Sequence, residues 1–145
     1  MASTTSPFAT THDGKAVPVL KTAGTEGEVY SATITVGTEA GSTINVVVQL
    51  TDFLGQDLAT VACVYAYMSD DTGGQSLVGT VNTTSPAIGT DGVLHTVVTD
   101  KSFFLTCETD GDIDIDFVTT ETTTHYLCLV MPDGRLVISD AITHT

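Results

Sequence analysis

The sequence predicts an all-β fold, an immunoglobulin-like β-sandwich of about eight or nine short strands with an extended N-terminal arm. Three observations lead there. The run Asp112-Ile-Asp-Ile-Asp-Phe117 alternates with a period of two, so Ile113, Ile115 and Phe117 point one way and Asp112, Asp114 and Asp116 the other. That pattern belongs to a strand with one face in a core and one in water. Turns such as Gly89-Thr-Asp-Gly92, Thr109-Asp-Gly111 and Pro132-Asp-Gly134 punctuate the apolar runs, at spacings of about 8–12 residues. No stretch carries a helical period, and the β-branched residues Thr and Val dominate the alternating segments.

Residues 1–27 stand apart. They are rich in Thr, Ser, Gly and Ala, carry Pro7 and Pro18, and sustain no period, as expected for a flexible or extended arm. Phe8 and the run Val17-Pro18-Val19-Leu20 are apolar islands in it, suited to docking on a neighbouring subunit or partner. Residues 28–145 then form the sandwich domain. Val29–Val36 alternates weakly, and Thr43–Leu50 alternates well, with Ile44, Val46, Val48 and Leu50 on one face. Leu58–Met68 reads as one long strand, apolar on both faces and therefore central. Leu77-Val78 suggests a short edge strand. Val93–Val98, Ser102–Glu108, Asp112–Thr119, Thr123–Met131 and Arg135–Ile142 complete the series.

Composition narrows the function. Four Lys and Arg face 18 Asp and Glu, a net charge of -14. Phosphate contacts need basic side chains, so direct binding to nucleic acid is not expected. Attraction to an anionic membrane surface is not expected either. The acidity serves solubility or answers a partner with a basic face. No apolar run reaches the length of a membrane span. The N-terminal residues lack the basic and apolar regions of a secretory signal, so the reading is a protein made in a reducing cytoplasm. Cys63, Cys107 and Cys128 are odd in number and without CxxC spacing, so they read as small buried hydrophobes. A Cys63–Cys128 bridge between sheets is the alternative.

Candidate chemistry is sparse. Asp110, Asp112, Asp114 and Asp116 invite a calcium reading, with Glu121 at the twelfth position counted from Asp110. On a strand, however, alternate side chains stand in a row about 7 Å apart instead of curling around one point. The row reads better as a solvated acidic face that discourages edge pairing. Asp70 and Asp71 suit a turn. His12, His95, His125 and His144 form no metal-binding pair by spacing, although His95 and His125 could meet across a sheet. There is no GxSxG elbow, and the cysteines have no activating neighbours in sequence. The reading is a protein that is not an enzyme and needs no cofactor or metal. Arg135, the sole arginine, follows a hairpin turn and could anchor an interface. Tyr30, Phe53 and Tyr126 are the aromatics available to stack on a sugar, and Trp, the usual sugar platform, is absent.

The body of the chain carries a resemblance. The segments Ile44-Asn-Val-Val-Val-Gln-Leu-Thr-Asp-Phe-Leu-Gly-Gln-Asp-Leu58, Tyr65-Ala-Tyr-Met-Ser-Asp-Asp71, Ala87-Ile-Gly-Thr-Asp-Gly92, Asp110-Gly-Asp-Ile-Asp-Ile115 and Tyr126–Ile142 resemble small proteins of tailed-bacteriophage head modules. The strand and turn Val48-Gln-Leu-Thr-Asp-Phe-Leu-Gly55 is also similar to bacterial immunoglobulin-like repeats. The phage resemblance implies a virion structural protein. Its best candidate is a capsid decoration (cement) protein on the capsid exterior, a homotrimer that clamps neighbouring major capsid protein subunits against DNA pressure. Phe8, Val17, Pro18, Val19, Leu20, Tyr30 and Arg135 are then the expected partner-binding residues. The alternatives are a head-fibre, neck or tail-associated protein, and a carbohydrate-binding module for host attachment.

Overall fold

The computed structural model of the chain describes residues 9–12, 15–18, 27–79 and 86–145. Within the segment read as an arm, Ala9–His12 (β1) and Lys15–Pro18 (β2) pair as an antiparallel hairpin, with Ala9 opposite Pro18 and His12 opposite Lys15. Val17 and Pro18 thus lie on β2, while Phe8, Val19 and Leu20 fall outside the described residues.

Ten further strands make an all-β sandwich, and there is no helix among the described residues. Ser31–Val36 (β3), Thr43–Thr51 (β4), Ala87–Ile88 (β6) and Asp112–Val118 (β9) form a four-stranded antiparallel sheet in the order β3-β4-β9-β6. Cys63–Ser69 (β5), Val93–Val98 (β7), Ser102–Thr106 (β8), Thr123–Val130 (β10) and Leu136–Ile138 (β11) form the larger sheet in the order β11-β10-β5-β8-β7. Ile142–His144 (β12) pairs with the start of β10, beyond the end of β11.

Period-two patterning fixes which side each residue faces. Ile44, Val46, Val48 and Leu50 of β4 and Ile113, Ile115 and Phe117 of β9 are buried, and they meet Val64, Ala66 and Met68 of β5, Phe103 and Leu105 of β8, and Leu127 and Leu129 of β10. Burial of that apolar area is the main force holding the two sheets together. A one-residue slip in any of these strands would turn its core residues into water, so the registers are strongly specified.

Several sequence expectations change in detail. The long strand Leu58–Met68 starts only at Cys63. The preceding residues connect the two sheets: the Leu58 amide donates to Leu50 O at 2.9 Å, and the Cys107 amide donates to Ala62 O at 2.9 Å. Strand β5 is central, between β10 and β8, but it is buried through one face only, since Tyr65 and Tyr67 are half-buried on the other. Arg135–Ile142 is two strands. At their junction the buried Ser139 takes a ladder position with its side chain: its Oγ accepts from the Leu127 amide at 2.9 Å, and its own amide donates to Leu127 O. The backbone is free to jog there because a hydroxyl has replaced a carbonyl as the acceptor. Around Leu77-Val78 the pairing is a single bridge, Ser69 to Leu77.

Candidate interaction surface

The two outer faces of the sandwich differ in chemistry. On the four-stranded sheet Asp112, Asp114 and Asp116 point outward, as the alternation predicts, but they are half-buried and not simply solvated. Nor is β9 an edge, because β6 and the turn after it pair along its open side. Asn45 Nδ2 donates to Asp116 Oδ1 at 2.9 Å, and the Thr90 hydroxyl donates to Asp114 Oδ2. Asp112 has one carboxylate oxygen buried without a partner. Burial, and then the charges of Asp114, Asp91 and Asp110, push its carboxyl above the ordinary carboxylate range. Among the described residues no three His, Cys, Asp or Glu side chains converge as metal ligands.

The larger sheet is the opposite. None of its six strands contains Asp, Glu, Lys or Arg. Its outer face carries one cross-strand row that spans five strands. Leu136 lies opposite Val130, Val130 opposite Tyr65, Tyr65 opposite Phe104, and Phe104 opposite His95. The Tyr65 and Phe104 rings meet edge to face, with centroids 5.4 Å apart. Phe104 is 43% exposed, and Val93 and Val98 beside it are exposed as well. The neighbouring row, Ile138–Cys128–Tyr67, is covered by the loop after β5. The Tyr67 hydroxyl donates to Gly74 O at 2.6 Å, and a Cβ on Gly74 would stand 3.1 Å from both Cys128 Sγ and Tyr67 Oη. Gly74 also has φ of 70°, which suits glycine. The loop therefore closes one half of the face and leaves the other open.

At one corner the two sheets present a tip. It is built on a turn whose anchor is the buried Asp52: its Oδ1 accepts from the amides of Leu54 at 2.9 Å and Gln56 at 3.0 Å. That Asx-type geometry fixes the backbone while Phe53 and Leu54 project, 54% and 60% exposed. The Tyr30 amide donates to Thr51 O, which places the Tyr30 ring against Phe53, edge to face with centroids 5.3 Å apart. From the other sheet the turn between β10 and β11 brings in Arg135. Its guanidinium lies 4.3 Å from the Tyr30 ring centroid. Nη2 donates to Tyr30 O at 2.6 Å, and Nε pairs with Asp133 at 2.5 Å. Of the expected partner-binding residues, the structure thus brings Tyr30 and Arg135 into one site.

Other sequence-level candidates separate. Cys63 is exposed, contrary to the expectation that all three cysteines are buried, because it opens β5 on the outer face. All three are free thiols, and Cys128 lies opposite Tyr67, four residues along β5 from Cys63, so there is no Cys63–Cys128 bridge. Burial pushes the Cys107 and Cys128 thiols up, so they are poor nucleophiles. His95 and His125 do not meet, since β5 and β8 lie between their strands. His125 instead shares a face with His144 across β10 and β12, and both rings are buried. His144 Nε2 is 3.1 Å from Phe117 O, while neither ring nitrogen of His125 has a partner. Matching alternation in His125-Tyr-Leu127 and Ile142-Thr-His144 is the sequence signal that could have found this pair.

No protein-family model matches the chain, and no curated protein matches it.

Proposed function

We propose that this chain is a structural protein of a phage virion, a capsid decoration protein that acts by binding and not by catalysis. The observation that carries the reading is the tip, where Tyr30 meets Phe53 and Arg135, and where Leu54, next to Phe53 in the chain, is exposed. Aromatic residues and arginine dominate the few positions that supply most binding energy at protein interfaces. Here they are held by turns, so little conformational entropy is lost on docking. The phage-head resemblance supplies the partner, the major capsid protein, and the location, the outside of a shell assembled in the host cytoplasm. Several tips on one assembly, each engaging a different capsid subunit, would raise the cost of separating those subunits under internal pressure. The acid row on the smaller sheet fits an exterior position, away from packaged DNA.

Co-sedimentation of the purified protein with expanded, undecorated capsids tests this. Saturable binding that Phe53→Ala weakens supports it. Absence of binding overturns it and favours a neck, tail or head-fibre position. A carbohydrate-binding module is the second reading, and the observation favouring it is the exposed Phe104 ring beside Tyr65 on a sheet face. Binding on a glycan array, lost in Phe104→Ala, would establish it.

A further inference from the structure

We propose that the open half of the larger sheet's outer face is the surface on which a second copy of this chain packs. This does not rest on the decoration reading. The argument begins with charge. Two copies at -14 each repel, so contact costs least where neither presents a charge. The strands of the larger sheet carry no Asp, Glu, Lys or Arg, whereas β9 puts three aspartates on the outside of the smaller sheet. An acidic or basic partner finds nothing to pair with on the strands of this face; the nearest charges stand in the bordering loops, at Asp71 and at the Asp133–Arg135 pair.

Surface chemistry points the same way. The row Leu136–Val130–Tyr65–Phe104–His95 is continuous across five strands, and Val93 and Val98 extend the apolar surface at its β7 end. Four inter-strand spacings of about 4.8 Å make the face about 19 Å wide. A contiguous apolar surface of that extent marks an interaction site more often than bare solvent exposure. A sugar would draw on the Tyr65 hydroxyl and the His95 ring on either side of Phe104, whereas Leu136 and Val130 at the other end of the row offer it no hydrogen bond. A second sheet of the same composition needs none, because its own apolar row interlocks about 10 Å away.

A face that packs on itself is self-complementary and closes at two copies. The expected species is a dimer, in place of the homotrimer that the phage resemblance implies. The face is at the small end of stable interfaces, so association is expected at roughly micromolar concentrations. Salt strengthens it, since screening removes the repulsion between the acidic bodies and leaves apolar contact intact.

The test is light scattering of the full chain over a concentration series at low and high salt. The expected result is a mass rising from the 15.1 kDa of one chain to twice that value, earlier at high salt. Phe104→Asp should raise the dissociation constant by on the order of tenfold or more. Val93→Glu, an exposed edge-strand change that leaves the core untouched, should act in the same direction. Phe53→Ala, on the tip, should leave the mass unchanged, so failure of self-association and failure of capsid binding are read separately. A chain that stays at 15.1 kDa throughout, or an oligomer indifferent to both Phe104→Asp and Val93→Glu, overturns the proposal.

Discussion

Arg135 grips Tyr30 twice: its guanidinium lies 4.3 Å from the ring centroid, and its Nη2 donates to the Tyr30 carbonyl at 2.6 Å. The two residues belong to different sheets, so this contact ties the β3 edge of one to the turn before β11 of the other. A lysine has one compact ammonium and cannot stack flat and donate sideways at once. Arg135→Lys is therefore expected to behave like Arg135→Ala. If the tip docks on a capsid as proposed, both should lower that affinity on the order of tenfold, measured by co-sedimentation, while circular dichroism stays that of the parent.

Acid should loosen the His125 end of the core. Burial, and then the neighbouring His144, lower the His125 pKa from 6.5, with Asp70 opposing. The unfolded chain therefore takes up a proton that the folded chain resists. Stability from this group is complete above about pH 6.5 and falls as pH drops toward the depressed folded value. Urea midpoints at pH 7.5, 6.5 and 5.5 should decline in that order. His125→Gln should flatten the decline, and a slope unchanged by that substitution would assign the acid sensitivity elsewhere.

Asp112 has the opposite linkage. Its raised pKa means that the folded state prefers the protonated form, so its cost appears as pH rises through that value. Asp112→Asn should stabilise the protein at pH 7 by on the order of 0.5 kcal/mol, and the gain should vanish near pH 3. Thermal melts at the two pH values check it.

Gly74→Ala forces a side chain into a left-handed position already 3.1 Å from Cys128 Sγ and Tyr67 Oη. The expected loss is about 1–2 kcal/mol. Thiol labelling gives a sharper readout. In the parent, Cys63 should react first and Cys128 slowly; in the variant, Cys128 should join the fast class as the covering loop lifts.

Ser139→Ala removes the acceptor that the Leu127 amide uses in the middle of a buried strand. An unpaired buried donor costs about 1–3 kcal/mol, so the urea midpoint should fall accordingly without change in the denaturant slope.

Much of the core was legible in the sequence, because period-two alternation is local: Ile44, Val46, Val48 and Leu50, and Ile113, Ile115 and Phe117, are buried as read. Strand ends were less so. Leu58–Ala62 is as apolar as the strand after it, and only its long-range bonds to Leu50 and Cys107 make it a connector. The division of Arg135–Ile142 depends on Ser139 finding Leu127, a tertiary event. Tyr30 and Arg135 could be singled out by type, but their meeting with Phe53 is set by which strands become sheet edges. The aromatic row was hidden for the same reason. Tyr65, Phe104 and His95 are far apart in sequence and share a face only once β5, β8 and β7 lie side by side.

The contrast between the two outer faces also acts before any contact is made. With three aspartates on the strands of one outer face and none on the strands of the other, the two sheets contribute an electric moment normal to their planes. In the field of a charged surface such a body rotates as it diffuses. That contribution turns the aromatic side toward a negative surface and away from a positive one. On an anion-exchange resin it favours attachment through the β9 aspartates, with Phe104 and Tyr65 facing the mobile phase.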